Sequence, residues 1–178
     1  WLYEFAYLYP ITNNSKIFEL LLNGMSVSEN RKTKDKSPTV KFIDFENQEN
    51  NSVIAVSELG VKAKGSDDKF YPDITLFVNG IPVITLELKD QFTGQNVQNA
   101  IKQFKNDRNP ADPIFEFKNR ALANFAVDLT DVFMTTRLMG NSTYFLPFNQ
   151  GSNGAGTVGG KGNPNNDNGF DTSYLWEK

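Results

Sequence analysis

Residues 71–90 alternate apolar and polar side chains around a short turn, which is the pattern of a β-hairpin. The two apolar runs, 74–78 and 83–88, flank Asn79-Gly80, the strongest short-range hairpin signal. Strand side chains alternate between faces, so a register with Asp73 roughly opposite Glu87 gives the hairpin one apolar and one polar face. The apolar face holds Ile74, Leu76, Val78, Ile84, Leu86 and Leu88, and the polar face holds Asp73, Thr75, Thr85, Glu87 and Lys89.

A helical period follows the hairpin. Val97, Ala100, Ile101 and Phe104 recur at i, i+3, i+4 and i+7, so the spacing predicts an amphipathic helix over residues 95–107. Asn109-Pro110 would end it. Gln103 lies on another side of this helix from the apolar stripe.

Weaker patterns predict the remaining elements. A short helix over residues 16–22 would be capped by Ser15 and ended by Asn23-Gly24, and Asp112-Pro113 would begin a helical turn. Strands are predicted over residues 40–45, 53–59, 124–129, 132–136 and 143–146, with polar connections over 28–38 and 61–69. This order of helices and strands predicts an α+β (mixed α/β) fold, with helices flanking a central mixed sheet.

The composition limits which metal sites and catalytic groups the chain can form. The chain has 178 residues, a net charge of −3, no cysteine and no histidine. These absences exclude disulfides, thiolate or histidine zinc sites, and catalytic triads that use histidine. Any metal would be held by oxygen, which favours a hard cation such as Mg²⁺.

The sequence contains no long apolar run and no signal peptide, so we expect a cytoplasmic protein without a membrane segment. It begins at Trp1, without a methionine, and we expect it to be a piece of a longer protein.

An aspartate on one strand and Glu-x-Lys on the next suit metal-assisted phosphodiester hydrolysis. Asp73 and Glu87 would share one sheet face and provide oxygen ligands, and Lys89, two residues beyond Glu87, would point to the same side. A lysine there would stabilise negative charge that develops on the phosphate. Glu-x-Lys is also a common tripeptide of solvated strand edges, and the residues alone leave both interpretations open.

The wider sequence resembles a known family. Residues 77–89, Phe-Val-Asn-Gly-Ile-Pro-Val-Ile-Thr-Leu-Glu-Leu-Lys, are similar to the nuclease core of the R (restriction and motor) subunit of type I restriction-modification enzymes, in the PD-(D/E)xK superfamily. The resemblance extends, in the same order, to residues 16–27, 42–47 and 50–51 upstream and to residues 100–108, 124–128, 133–138, 145–149 and 174–177 downstream.

The resemblance implies roles for individual residues. Asp73 and Glu87 would bind Mg²⁺ in a restriction-endonuclease-like core, and Lys89 would be the catalytic lysine. Gln103 matches a helix glutamine that many relatives follow, four residues later, with a tyrosine; here that position is Asp107. Gln103 would then contact the site or DNA, although an exposed helix residue would look the same.

Basic residues follow in and after the same helix. Lys102, Lys105 and Arg108 would contact DNA phosphates, or they would form an ordinary solvated helix surface. The residues alone do not separate these two interpretations.

The resemblance also divides the chain. Residues 1–148 would form the endonuclease domain, and residues 149–178 would be a Gly/Asn-rich loop with an exit segment toward a motor domain absent from this fragment. Residues 154–162 lack the glycine and the Ser/Thr of a Walker loop, at Ala155 and Gly162 respectively, so ATP would be bound by the motor and not here.

The expected function is Mg²⁺-dependent hydrolysis of double-stranded DNA in an ATP-driven restriction complex with methyltransferase and specificity subunits. Two alternatives stay open. One is a stand-alone or repair-type nuclease of the same superfamily, and the other is a catalytically inactive DNA-docking or assembly module.

Overall fold

A mixed six-stranded sheet organises the chain in the computed structural model, which describes residues 14–27, 37–117 and 120–148. The elements are α1 (Asn14–Asn23), β1 (Met25–Ser26), β2 (Thr39–Val40), β3 (Val53–Ser57), β4 (Val61–Lys62), β5 (Lys69–Phe70), β6 (Ile74–Val78), β7 (Ile81–Leu88), α2 (Val97–Asn106), β8 (Ala123–Val127), β9 (Val132–Thr135) and β10 (Leu146–Pro147). Short 3₁₀ helices occupy Gln48–Asn50 and Gln91–Thr93.

The sheet has the strand order β10-β9-β8-β7-β6-β3. Its central pair, β7 and β8, is parallel and is joined through α2, and its other neighbours are antiparallel. The pairs β1-β2 and β4-β5 form two separate small sheets. This arrangement confirms the predicted α+β fold with a central mixed sheet.

The β6-β7 hairpin contains a register shift that sets its two faces. Asn79 and Gly80 have φ values of 51° and 81°, as a two-residue turn with positive φ requires. The strands pair Val78 with Ile81, but a bulge between Leu76 and Phe77 changes the register, so Thr75 lies opposite Thr85. Thr85 shares a face with Glu87 because the two are two residues apart on β7, and the one-residue shift at the bulge puts Thr75 on that face as well.

Helix α2 packs across the Glu87 face of the sheet. Its N-cap, Asn96, accepts a hydrogen bond from Gln98 N, and the Asn99 side chain completes a capping box. The predicted apolar stripe is confirmed as the core of this layer: Val97, Ala100, Ile101 and Phe104 are buried with Ile114, Phe115, Ala126 and Leu138. The opposite sheet face contains a second cluster of Leu86, Phe125, Val127 and Val132, against which Ile74, Leu76, Ile84 and Leu88 pack.

Asp128 fixes the start of α2 to the end of β8. Its Oδ2 accepts from Val97 N at 2.8 Å, and its Oδ1 accepts from Thr130 N and Asp131 N at 2.8 Å each. Burial acts to raise the pKa of Asp128, but the backbone donors outweigh it and hold that pKa below its ordinary value. This carboxylate therefore helps to place the helix over the Glu87 face of the sheet.

Most predicted elements are confirmed, within one or two residues at their ends. The strand predicted over residues 40–45 is wrong beyond Val40, because Asp44 Oδ1 accepts from Glu46 N and Asn47 N and Asn51 bonds the Asp44 backbone. Such local bonds compete with strand pairing.

Three smaller differences concern element ends. The first helix begins at Asn14, so Ser15 lies within the bounds of α1 and not before its start. The connection over residues 61–69 contributes the short β4-β5 pair. Only Leu146 of the strand predicted over 143–146 enters β10, because the Thr143 hydroxyl bonds Gly140 O and Met139 N.

Several predictions fall on residues that the structure does not describe. These are most of the loop over residues 28–38 and the whole segment over 149–178, so the proposed domain division stays a prediction. Among the described residues, no helix combines the length and apolarity that crossing a bilayer requires.

Phe104→Ala should lower the free energy of unfolding by about 3–5 kcal/mol, because Phe104 is fully buried against Phe115 and Phe145. Phe92→Ala is the matched control, since Phe92 is 91% exposed and its loss should change stability by less than about 0.5 kcal/mol. Urea unfolding followed by circular dichroism measures both, and equal losses would contradict the assigned core.

Asp128→Asn should lower stability by about 1–3 kcal/mol at pH 7, because hydrogen bonds to a charged acceptor are replaced by neutral ones. The folded pKa lies below the ordinary 3.8, so this contribution is present above pH 3.8 and is lost as the pH falls below it. Urea titrations at several pH values should show the wild type and the variant converging at low pH. Asp67→Asn, at a fully exposed side chain, should leave stability unchanged.

Candidate functional site

Asp73 and Glu87 lie on neighbouring strands at the same end of the hairpin. Ile74 pairs with Leu86, so the next position outward brings Asp73 beside Glu87, as the sequence predicts. Asp73 Oδ2 accepts a hydrogen bond from Leu88 N at 2.6 Å, which holds this carboxylate against the backbone between Glu87 and Lys89. Two carboxylates on one sheet face are thereby brought together.

Glu87 is fully buried, and both of its carboxylate oxygens are hydrogen-bonded. Gln103 Nε2 donates to Oε2 at 2.8 Å, and Arg108 donates to Oε1 through Nε at 2.7 Å and Nη2 at 2.6 Å. Buried charges are tolerated in proteins when they are paired and hydrogen-bonded in this way. Helix α2 and the residues after it therefore supply the compensation that Glu87 needs.

The pKa of Glu87 reflects opposing influences. Burial raises this pKa from 4.5 to about 7, although the charge and hydrogen bonds of Arg108 act to lower it. The Asp73 carboxylate raises the same pKa further and the Lys89 ammonium lowers it, which places both groups within electrostatic range of Glu87. The burial of the carboxyl dominates because it has no access to bulk water.

Lys89 follows the end of β7 and is half-buried. Its backbone N donates to Val127 O at 2.8 Å, which extends the parallel β7-β8 pairing by one residue beyond Leu88. The residue thus continues the alternation of the strand, two positions after Glu87. Its ammonium is within electrostatic range of Glu87, so the predicted lysine lies at the same end of the hairpin as the two carboxylates.

The helix residues separate into two environments. Gln103 is half-buried and contacts Glu87, so it belongs to the site. Lys102 is exposed and Lys105 is half-buried on α2, and contact with DNA phosphates stays a prediction for both. Arg108 was predicted with them as a DNA-contacting residue, but its side chain is 8% exposed and is engaged with Glu87.

The donor atoms of the site suit Mg²⁺. In the described part of the chain, no point gathers three or more Asp, Glu, His or Cys side chains, so the protein ligands would be Asp73, Glu87 and main-chain oxygen. Mg²⁺ commonly binds through one or two carboxylates and keeps several waters. The two carboxylates, in a chain without histidine or cysteine, match this hard-cation chemistry.

Sequence reasoning missed the role of Arg108 and the buried polar row beside the carboxylates. Arg108 lies beyond the end of α2, where helical periodicity no longer indicates which way a side chain points. The available signal was chemical, since a glutamate on a covered sheet face needs a counter-charge. In the polar row, Thr85 Oγ1 donates to Asn124 Oδ1 at 2.7 Å, and both side chains are buried.

Comparison with protein families gives a match over residues 3–154 to the type I restriction enzyme R protein N terminus. The chain belongs to this family. The match includes the hairpin, α2 and the whole six-stranded sheet, so the predicted resemblance is confirmed over the region that builds the site.

Individual relatives agree with the family. The chain is 30% identical over 113 residues to the endonuclease subunit of the type I restriction enzyme HindI of Haemophilus influenzae, which covers 63% of the chain and 10% of that protein. It is 34% identical over 109 residues to a provisionally named type I restriction enzyme endonuclease subunit, MjaVIIIP, of Methanocaldococcus jannaschii, which covers 60% of the chain and 10% of that protein. The matched region spans about a tenth of the length of these relatives.

The raised pKa of Glu87 predicts how stability depends on pH in metal-free protein. Between pH 4.5 and about 7 the folded state retains the Glu87 proton, whereas the unfolded chain has lost it. The contribution of Glu87 protonation to the free energy of unfolding is therefore complete below pH 4.5, and it disappears as the pH rises through about 7. Glu87→Gln should remove this pH-dependent part. Urea unfolding in a chelating buffer from pH 4.5 to 7.5 measures the difference.

Glu49→Gln, at an exposed glutamate, is the control and should keep the wild-type slope. The same slope in wild type and in Glu87→Gln would show that Glu87 titrates as an ordinary exposed carboxyl.

Proposed function

We propose that this chain is the Mg²⁺-dependent endonuclease domain of a type I restriction enzyme R subunit, hydrolysing phosphodiester bonds of double-stranded DNA. The observation that carries the proposal is the placement of Asp73 and Glu87 on adjacent strands of one sheet face, with Lys89 two residues beyond Glu87. The family of the chain and the names of its relatives, which are endonuclease subunits, support the same function.

Each residue has a distinct task in this proposal. Asp73 and Glu87 would hold Mg²⁺, and a Mg²⁺ ion at this place supplies Lewis-acid polarisation of a phosphate oxygen and makes water a stronger nucleophile. Lys89 presents its ammonium beside the carboxylates and stabilises negative charge that develops on the phosphate. Gln103 keeps Glu87 Oε2 in a fixed direction through its 2.8 Å hydrogen bond.

The domain would act within a larger cytoplasmic complex. Methyltransferase and specificity subunits would read and modify the DNA sequence, and a motor region of the R subunit would bind ATP and move the DNA. The lengths of the relatives support this, since the region matched to this chain is about a tenth of each. Lys102 and Lys105 on α2 would contact DNA phosphates, which makes binding salt-dependent.

Lys89→Ala should reduce DNA cleavage by the complete restriction enzyme by about 100-fold or more, because one group that stabilises developing charge is lost. Cleavage of double-stranded plasmid DNA with Mg²⁺ and ATP measures the effect, and ATP hydrolysis in the same samples should remain, which shows that the complex still assembles and moves on DNA.

Lys62→Ala is the matched control, since Lys62 is exposed and pairs with Asp67 on the small β4-β5 sheet. Its cleavage should equal that of wild type. Full cleavage by Lys89→Ala would overturn the catalytic assignment of Lys89.

A further inference from the structure

Arg108 joins the two chain segments that carry the carboxylates. Its guanidinium donates to Glu87 Oε1 through Nε and Nη2, and Nη2 also donates to Tyr71 O at 3.3 Å. Tyr71 immediately precedes Pro72, which is fully buried, and Asp73. One side chain therefore bonds the β7 carboxylate on one side and the backbone that leads into β6 on the other.

The surroundings of Arg108 hold it in place. The guanidinium carbon lies 5.2 Å from the centroid of the Phe70 ring, and the residue is only 8% exposed. Phe70 is in turn stacked on Phe115, with ring centroids 5.5 Å apart. Leaving this position would cost Arg108 its ion pair, its carbonyl contact and its aromatic contact together, so the side chain is a fixed part of the site.

We propose that Arg108 is a positioning residue that fixes the Glu87 carboxylate relative to Asp73, so that the pair binds a divalent cation. This inference rests on the proposed function. Arg108 bonds Oε1 and Gln103 bonds Oε2, so the plane of the carboxylate is fixed from both sides. Oε1 accepts two hydrogen bonds from Arg108, whereas Oε2 accepts one from Gln103 and retains a second lone pair for a metal ion.

The chemistry of arginine suits this role better than that of lysine. A guanidinium offers several donors in a planar fork, so it can bond Oε1 twice and reach the Tyr71 carbonyl at the same time. A lysine supplies the charge without the fork. Residues that orient metal ligands in this way commonly contribute 10–100-fold to metal affinity.

The test measures Mn²⁺ binding to the full protein by titration calorimetry, without DNA. Arg108→Met and Arg108→Lys should both bind Mn²⁺ about 10–100-fold more weakly than wild type. Arg137→Ala is the matched control, because Arg137 also lies over an aromatic ring, 4.8 Å from the centroid of Phe117, and is exposed. Its affinity should equal that of wild type.

Folding is checked in the same variants by circular dichroism. Arg108→Met leaves a buried carboxylate without its counter-charge, and if it does not fold, Arg108→Lys decides the test. The double variant Glu87→Gln/Arg108→Met removes both charges and should fold without binding Mn²⁺. A folded Arg108→Lys protein with weakened Mn²⁺ affinity supports positioning, since a purely structural role would not change the affinity of a folded protein.

The possible failures are distinguishable. If Asp73→Asn binds Mn²⁺ as well as wild type does, the proposed metal site is wrong and this inference falls with it. If Asp73→Asn loses binding but Arg108→Lys retains wild-type affinity, only the positioning role is overturned. Tighter binding in Arg108→Met would mean that Arg108 competes with the metal, which also overturns it.

Discussion

The buried Glu87 carboxylate is the constraint on which the rest of the structure depends. A carboxylate without solvent access is strongly unfavourable unless charged and hydrogen-bonding partners surround it, and here Gln103 and Arg108 provide them. Both partners come from α2 and the residue two positions past its end, so the helix must sit at a fixed depth on the sheet. The Phe104 core and the Asp128 contact with Val97 N together set that position.

The two faces of the sheet differ in composition: one is apolar, and the other carries polar side chains beside apolar ones. The face opposite α2 is built from aliphatic side chains and Phe125, whereas the α2 face carries Thr75, Thr85, Asn124 and Glu87 beside its apolar cluster. Among the described residues, Thr75 Oγ1 is buried without a hydrogen-bond partner. A buried hydroxyl without a hydrogen-bond partner lowers stability. A sheet with only a structural role would carry an aliphatic side chain in place of Thr75.

The hairpin, its two faces and the apolar stripe of α2 could be predicted from the sequence, because apolar residues recur every 2 residues on the buried face of a strand and about every 3.6 residues on that of a helix. Asp73 converges with Glu87 only because of the register shift in the hairpin, since the register at the Asn79-Gly80 turn would by itself put Asp73 opposite Leu86. Arg108 could not be predicted, because it lies outside any periodic element and its direction is set by a long-range ion pair. The bends after Val40 were missed for a related reason, since Asp44 and Asn51 bond the local backbone in place of a strand partner.

The bulge between Leu76 and Phe77 makes the number of residues in the hairpin as important as their identity. Hairpin ends usually accept insertions and deletions readily, because they are exposed and make few contacts. Here, removing one residue between the turn and Thr75 would rotate Asp73 to the aliphatic side, with every side chain of the site chemically intact. Insertions and deletions in this hairpin are therefore restricted even at positions where substitutions are tolerated. Engineered changes of loop length in this fold should be made in other loops.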